Sequence, residues 1–339
     1  MRGMGVLFRI GRTPLLRVDG VHAQLECANP GGSIKDRVAR FLVEEAVRRG
    51  ELALGDTIVE ATTGNAGIAY ALVGRELGFR VRIYLAEPAR AERARARKHP
   101  ETAHDAATHE RMEMIRALGA EVVLVPRAGG LAEARRLRDA HRGERGTWIP
   151  VASSAELERC HAETTGRDLV EALVAARVSR LDAFVAGVGS GGTLRGVGVA
   201  LRARWPKVEL VAVVPFEAES RAPTGVVEHG ILGLESIPER ARAAAGDVGA
   251  LERVTTAEAH AEAERLHALG YCVGRSAGAN HGVARRRAKA GAVVATLWPE
   301  GGERYASAGL GERRAGSARC PRRTECATRC ALLLPSGSA

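Results

Sequence analysis

The chain is short of aromatic residues. Five Phe, four Tyr and three Trp make up only 4% of its 339 residues. Platforms on which unpaired bases could stack are therefore scarce, and no nucleic-acid partner is expected. No apolar run is long enough to span a bilayer, and the N-terminus lacks the apolar core of a secretory signal. A cytoplasmic protein without a membrane partner is expected. The six cysteines include no CxxC pair. Cys27, Cys160 and Cys272 lie in patterned segments, where a thiol packs as a small hydrophobe. Cys320, Cys326 and Cys330 crowd the last twenty residues at spacings too loose to indicate zinc. A disulfide scaffold is not expected in a chain of this size. No internal repeat is visible.

What is present is ordinary for a globular protein: 45% apolar residues, 27% charged, with length for one or two domains. The net charge of +10 is partly a property of the tail. Residues 311–339 hold six arginines against two glutamates and show no periodicity, so this tail is expected to be disordered. The remaining excess reads as a solvated basic surface suited to anionic small molecules.

β-type runs at 22–26, 57–60, 80–85, 121–125, 182–186, 208–214 and 292–297 alternate with helical patterns at 36–49, 66–77, 110–118, 131–140, 161–176, 192–204, 257–269 and 278–289. Such alternation predicts an α/β fold built on largely parallel sheets. The polar segment 89–109 interrupts it and reads as an insertion. Its histidines, His99, His104 and His109, recur every five residues and so do not share a helical face; no metal site is expected.

Four Gly-rich turns punctuate the pattern: GGSIKDR around Lys35, TTGNAG at 62–67, GVGSGGT at 187–193 and GRSAGAN at 274–280. Singly, each is compatible with nothing more than tight packing. The third has the build of a phosphate site, with successive backbone N–H groups, a helix start and the hydroxyls of Ser190 and Thr193. It is neither a Walker loop nor a good dinucleotide fingerprint, which points to a smaller phosphorylated cofactor. Lys35 is oddly placed for a solvated lysine, because a cation at a helix start opposes the helix dipole.

Taken together, TPLLRV (13–18), NPGGSIKDR (29–37), VEATTGNAG (59–67), ERMEMIRALGAEVVLV (110–125), HAETTGRDL (161–169), GVGSGGTLRGVG (187–198), ILGLESIP (231–238) and PEGGERYAS (299–307) resemble, in order, motifs of the cysteine synthase and cystathionine β-synthase family. The resemblance covers residues 11–308 and implies a fold-type II enzyme dependent on pyridoxal 5'-phosphate. Two open twisted sheets would flank the cofactor: a large domain of 1–37 and 149–310, and a small mobile domain of 38–148.

It implies roles residue by residue. Lys35 would be the catalytic base and form the Schiff base. Asn65 would bond the cofactor's 3'-oxygen, although a turn asparagine is the plainer reading. Gly189, Ser190, Gly191, Gly192 and Thr193 would cup the phosphate. Ser276 would face the pyridine nitrogen, although an N-cap serine is the plainer reading. Thr62, Thr63, Gly64 and Ala66 would meet the amino-acid substrate. A hydroxyl opposite the nitrogen leaves the ring a weak electron sink, which favours β-elimination and replacement over transamination.

The implied reaction is β-replacement on O-acetylserine or O-phosphoserine by sulfide or a thiol, through an α-aminoacrylate, by a homodimer. Alternatives are a serine or threonine dehydratase, replacement by another nucleophile, a non-catalytic binding protein, and a haem role for Cys320-Pro321. Two positions depart from the pattern. Ala66 stands where a hydroxyl residue is usual, and Val151 stands at the place of a glutamine, which puts the familiar acetylserine donor in question.

Overall fold

The computed structural model describes residues 4–86, 104–126, 129–219, 229–234, 248–308 and 310. Its helices are α1 (Met4–Leu7), α2 (Lys35–Arg48), α3 (Asn65–Leu77), α4 (His104–Ala117), α5 (Gly130–Asp139), α6 (Ser154–His161), α7 (Arg167–Ala175), α8 (Gly192–Arg204), α9 (Thr256–Ala268) and α10 (Arg275–Lys289). Two sheets organise them. One contains β1 (Leu15–Val18), β2 (Val21–Leu25), β7 (Ala183–Gly187), β8 (Glu209–Pro215), β9 (Ala250–Val254) and β10 (Val294–Trp298), in the order β1-β2-β10-β7-β8-β9. The other contains β3 (Thr57–Ala61), β4 (Arg80–Ala86), β5 (Glu121–Val125) and β6 (Thr147–Trp148), in the order β5-β4-β3-β6. Among the described strands, every pairing is parallel except β1 with β2.

The six-stranded sheet is apolar on both faces because successive residues of a strand point to opposite sides. Phe184 and Ala186 of β7 pack with Leu210 and Ala212 of β8 against Leu194, Val197 and Leu201 of α8. Their neighbours Ala183, Val185, Val211 and Val213 face Ala259 of α9 and Val283 and Ala284 of α10. The four-stranded sheet repeats the plan. Ile58 and Ile83 meet Ile68 and Val73 of α3, while Val59 and Tyr84 meet Ala134 of α5.

Three helical expectations need correction. The helix predicted to begin at 110 begins at His104, inside the segment read as an insertion; the rest of that segment, 89–103, lies outside the described residues, as does the tail from 311. The run expected as one helix over 161–176 is α6, a π-helical turn over Ala162–Gly166, and α7. The widened turn is fixed by Thr164 Oγ1 donating to the Cys160 carbonyl at 2.6 Å, and by Gly166, whose missing Cβ leaves room for Ala200. Helix α10 starts at Arg275 rather than at 278. Most of α6 precedes the predicted run, and its start is marked by Ser153 and Glu156, which form a reciprocal capping box.

A buried ionic network joins the N-terminal segment to α2. Arg37 donates to both Glu26 oxygens (Nε to Oε2 at 2.7 Å, Nη2 to Oε1 at 2.9 Å) and to Asp168 Oδ2 at 2.6 Å. Thr13 and Asn29 complete the Glu26 carboxylate at 2.7 and 2.8 Å. All these side chains are buried, so removing one partner strands a charge without water. Arg37→Ala should lower unfolding stability by about 3–5 kcal/mol in urea titration, far beyond the ~0–1 kcal/mol expected of the exposed Arg40–Glu44 pair.

Candidate active site

Lys35 is the first residue of α2, two positions from the Arg37 anchor. It is half-buried, and loss of water around the amine lowers its pKa, against the weaker attraction of Cys160 and Glu60. A lysine so placed holds its uncharged form more readily than a surface lysine does. Its neighbour Asp36 turns away and accepts the Gly31 N–H at 2.5 Å; burial pushes its pKa up to about 7. The loop before Lys35 is thereby closed from behind.

The TTGNAG turn leaves β3 and enters α3. Thr62 is buried and accepts the Gly64 N–H at 3.0 Å, whereas Thr63 is exposed. Gly64 has φ of +146°, and a Cβ there would collide with the side chain of Arg111. Only glycine meets both demands. Asn65 is half-buried at the start of α3, which no side chain caps, and Ala66 follows against the apolar core of that sheet. Val151, by contrast, is 58% exposed just ahead of α6.

The GVGSGGT turn leaves β7 and enters α8, again without a side-chain cap. Gly191 takes the left-handed conformation at φ +77°. Gly189 lies against the Gly233 carbonyl and Gly192 against Leu157, so a Cβ at either would collide with its neighbour. Thr193 shares a hydrogen bond with His161 Nε2 at 3.2 Å, and His161 Nδ1 shares another with Thr165 at 3.0 Å. Ser190 is exposed at the rim. The first N–H groups of α8 have no intrahelical acceptor, so the hollow can take an anion.

The sequence marks His161 only as part of a motif, and the structure gives it a place beside the hollow. Burial, with Lys35 and Arg37 close by, lowers its pKa to about 3.

Ser276 is buried in the first turn of α10, but the cap position is Gly274, so the N-cap reading is excluded. Ser276 and Asn65 stand at the starts of helices packed on different sheets and meet on one carboxylate. Glu300, 1% exposed in the turn after β10, accepts from Ser276 Oγ at 3.3 Å and from Asn65 Nδ2. Arg111 Nη2 donates to it at 3.1 Å, and Tyr305 donates its hydroxyl. Arg304 donates to Asn65 Oδ1 at 2.8 Å. The guanidinium groups of Arg111 and Arg275 lie 5.2 and 5.6 Å from the Tyr305 ring centre. Glu300, Arg111 and Tyr305 are absent from the residues that sequence reasoning names. A buried acid inside PEGGERY, next to a Gly-Gly turn, is the signal that could have found the first of them.

A lysine short of water, a hollow at a helix start that can take an anion, and two polar side chains converging from helices of the two sheets fit a phosphorylated aromatic cofactor. The chain matches the family model described as pyridoxal-phosphate dependent enzyme over residues 6–298. It belongs to that family.

Relatives of this pyridoxal-phosphate enzyme are similar along nearly their whole length. The cysteine synthase of Staphylococcus aureus (strain Mu50) is 32% identical over 319 residues, covering 89% of this chain and 94% of its own. The O-ureido-L-serine synthase of Streptomyces lavendulae is 33% identical over 318 residues, covering 89% and 90%. A crystal structure of an O-ureido-L-serine synthase superposes with a TM-score of 0.77 at 31% identity, covering 94% of this chain and 97% of that one. The protein is therefore a fold-type II, pyridoxal-phosphate-dependent enzyme of the cysteine-synthase type, which performs β-replacement.

With a folded-state pKa near 3 against 6.5, His161 makes the unfolded chain bind one more proton than the folded chain between those values. Its contribution is complete above pH 6.5 and is lost as the pH falls toward 3. The stability advantage of wild type over His161→Asn should shrink by about 1.4 kcal/mol per unit of acidification between roughly pH 5.5 and 4. Denaturant titrations of both proteins across that range check it.

Proposed function

We propose that the enzyme replaces the β-substituent of an O-activated serine, O-acetylserine or O-phosphoserine, with sulfide or a thiol. The observation that carries the reading is Lys35: an amine short of water at a helix start, close enough to His161 to depress its pKa. His161 in turn bonds Thr193 of the glycine-lined anion hollow, which ties the amine to that hollow through one side chain. In this reading Lys35 would hold the cofactor through its amine. Gly189, Ser190, Gly191, Gly192 and Thr193 would hold its phosphate, Asn65 its 3'-oxygen and Ser276 the side of its ring nitrogen. Bound there, pyridoxal phosphate supplies the electron withdrawal that makes a Cα proton of an amino acid removable.

The chain's own residues do the rest. Lys35, more readily unprotonated than a surface lysine, takes that proton at Nζ. Thr62, Thr63, Gly64 and Ala66 lie at the mouth of α3, where the helix start favours a carboxylate. His161 remains neutral and buried behind Thr193, so the hollow holds an anion through backbone N–H groups and hydroxyls rather than through an imidazolium. Residues 38–148, which contain the whole four-stranded sheet, are proposed to close on the remainder when substrate binds and to exclude water from the reacting centre. The names of the relatives, a cysteine synthase and an O-ureido-L-serine synthase, support an O-substituted serine framework while differing in the product made.

The test is a visible absorption spectrum of the purified protein alone and with each donor, beside Lys35→Ala. A cofactor band that shifts with one donor and returns on adding sulfide is the expected result, and Lys35→Ala should lose it. A wild type that releases pyruvate equally with and without a thiol would instead establish elimination.

Ala66 lacks the hydroxyl usual at its position. Ala66→Thr should lower KM for the amino-acid donor by about tenfold or more, because a hydrogen bond to a charged group contributes roughly 1.5–3 kcal/mol. Steady-state kinetics with both donors would register it.

A further inference from the structure

An amino acid brings a full negative charge into the cleft on its carboxylate, and none of Thr62, Thr63, Gly64 and Ala66 is charged. Ala66 has no polar side-chain atom, Thr63 is exposed, and the Thr62 hydroxyl already accepts the Gly64 N–H. The start of α3 offers only about half a positive charge. A whole one lies beside it. Arg111 of α4 is 1% exposed, and its side chain crosses the entrance to α3: a Cβ on Gly64 would collide with Arg111 Cδ, and Arg111 Nε donates to Asn65 Oδ1 at 3.2 Å.

The other two nitrogens of this guanidinium face acceptors unequally. Nη2 donates to Glu300 Oε2 at 3.1 Å, whereas Nη1 is buried and has no hydrogen-bond partner among the described residues. A buried N–H left without an acceptor is unfavourable. The guanidinium therefore already takes one carboxylate and has a further donor to offer. Glu300 is bonded by both Ser276 and Asn65, the two side chains assigned to the cofactor ring, so ring and carboxylate exclude each other from that space. With the ring in place Nη2 gives up its acceptor too. Nη1 and Nη2 together make a fork that matches both oxygens of a carboxylate.

We propose that Arg111 is a substrate-binding residue whose guanidinium pairs with the α-carboxylate of the amino-acid donor at the start of α3. The proposal rests on the reading that places the donor at that helix start. Arg111 supplies there the countercharge that the 62–66 turn lacks. Helix α4 lies within residues 38–148, so the guanidinium is carried by the segment proposed to close on substrate.

The experiment is a visible-absorption titration of the holoenzyme with L-serine, which has no anionic β-substituent, and with L-serinamide, which lacks the carboxylate. In Arg111→Gln the Kd for L-serine, read from the shift of the cofactor band, should rise about ten- to a hundredfold, while that for L-serinamide stays within about twofold of wild type. An equal rise for both ligands would overturn the proposal, because a merely structural role weakens both alike. An unchanged Kd for L-serine would overturn it as well. Should Arg111→Gln fail to fold, Arg111→Lys keeps the charge without the fork: a loss selective for L-serine supports the proposal, and equal loss or wild-type affinity for both overturns it. A wild type whose cofactor band is absent, or moves with neither ligand, would overturn the functional reading itself, an outcome distinct from a band that L-serine shifts equally well in Arg111→Gln.

Discussion

Arg37 is the constraint on which the site depends. A buried guanidinium must be neutralised and hydrogen-bonded, and Glu26, from the turn after β2, and Asp168, from α7, are the partners that do both. Those partners lie 11 and 131 residues away in sequence, so satisfying one side chain draws three parts of the chain together. Lys35 is two residues before Arg37 on the same helical turn. Its amine is therefore held by a rigid element whose first turn cannot drift without breaking buried ion pairs. A reactive amine on a free loop would spend most of its time hydrated and charged.

The same logic is visible across the cleft. The two sheets contribute different helix starts, α3 from β3 and α8 from β7, and each enters its helix through glycine rather than through a capping side chain. Uncapped N–H groups weaken an ordinary helix, but beside an anion they are its binding site. The space that side chains would otherwise fill is taken by close neighbours: Arg111 over Gly64, Gly233 behind Gly189, and Leu157 against Gly192. Packing and ligand recognition thus depend on the same missing Cβ atoms.

Charge within the cleft is dense. Arg111, Arg304 and Arg275 are all buried around Tyr305 and Asn65, with Glu300 as the buried acid among them. The chain carries 50 basic side chains, and only Lys35, Lys98, Lys207 and Lys289 are lysines. Arginine stays charged wherever it is put, so it can serve as a fixed countercharge but not as a base. Lys35 is the basic residue here whose proton can come and go.

Much of this is legible in the sequence. The parallel α/β architecture follows from alternating apolar runs, because strands covered on both faces read as continuous Val, Ile and Ala. Lys35, Asn65, the 189–193 turn and Ser276 can be named because their chemistry is encoded locally, in glycines beside a single reactive or hydrogen-bonding residue. Short strands such as β6 and β9 escape, since two to five residues carry too little periodicity to distinguish them from loops. The break of 161–176 into α6, a π turn and α7 is equally hidden, because it answers to Ala200 and Cys160 rather than to its own pattern.

The order of strands and helices, and the identity of the residues that bear the chemistry, belong to the chain's own pattern. Their environment belongs to the folded molecule. That Lys35 loses water, that His161 stays neutral, and that Ser276 directs its proton to Glu300 are consequences of groups distant in sequence meeting in a space with little room for solvent. Desolvation and hydrogen-bond direction are properties of that space, and no stretch of the chain contains them alone.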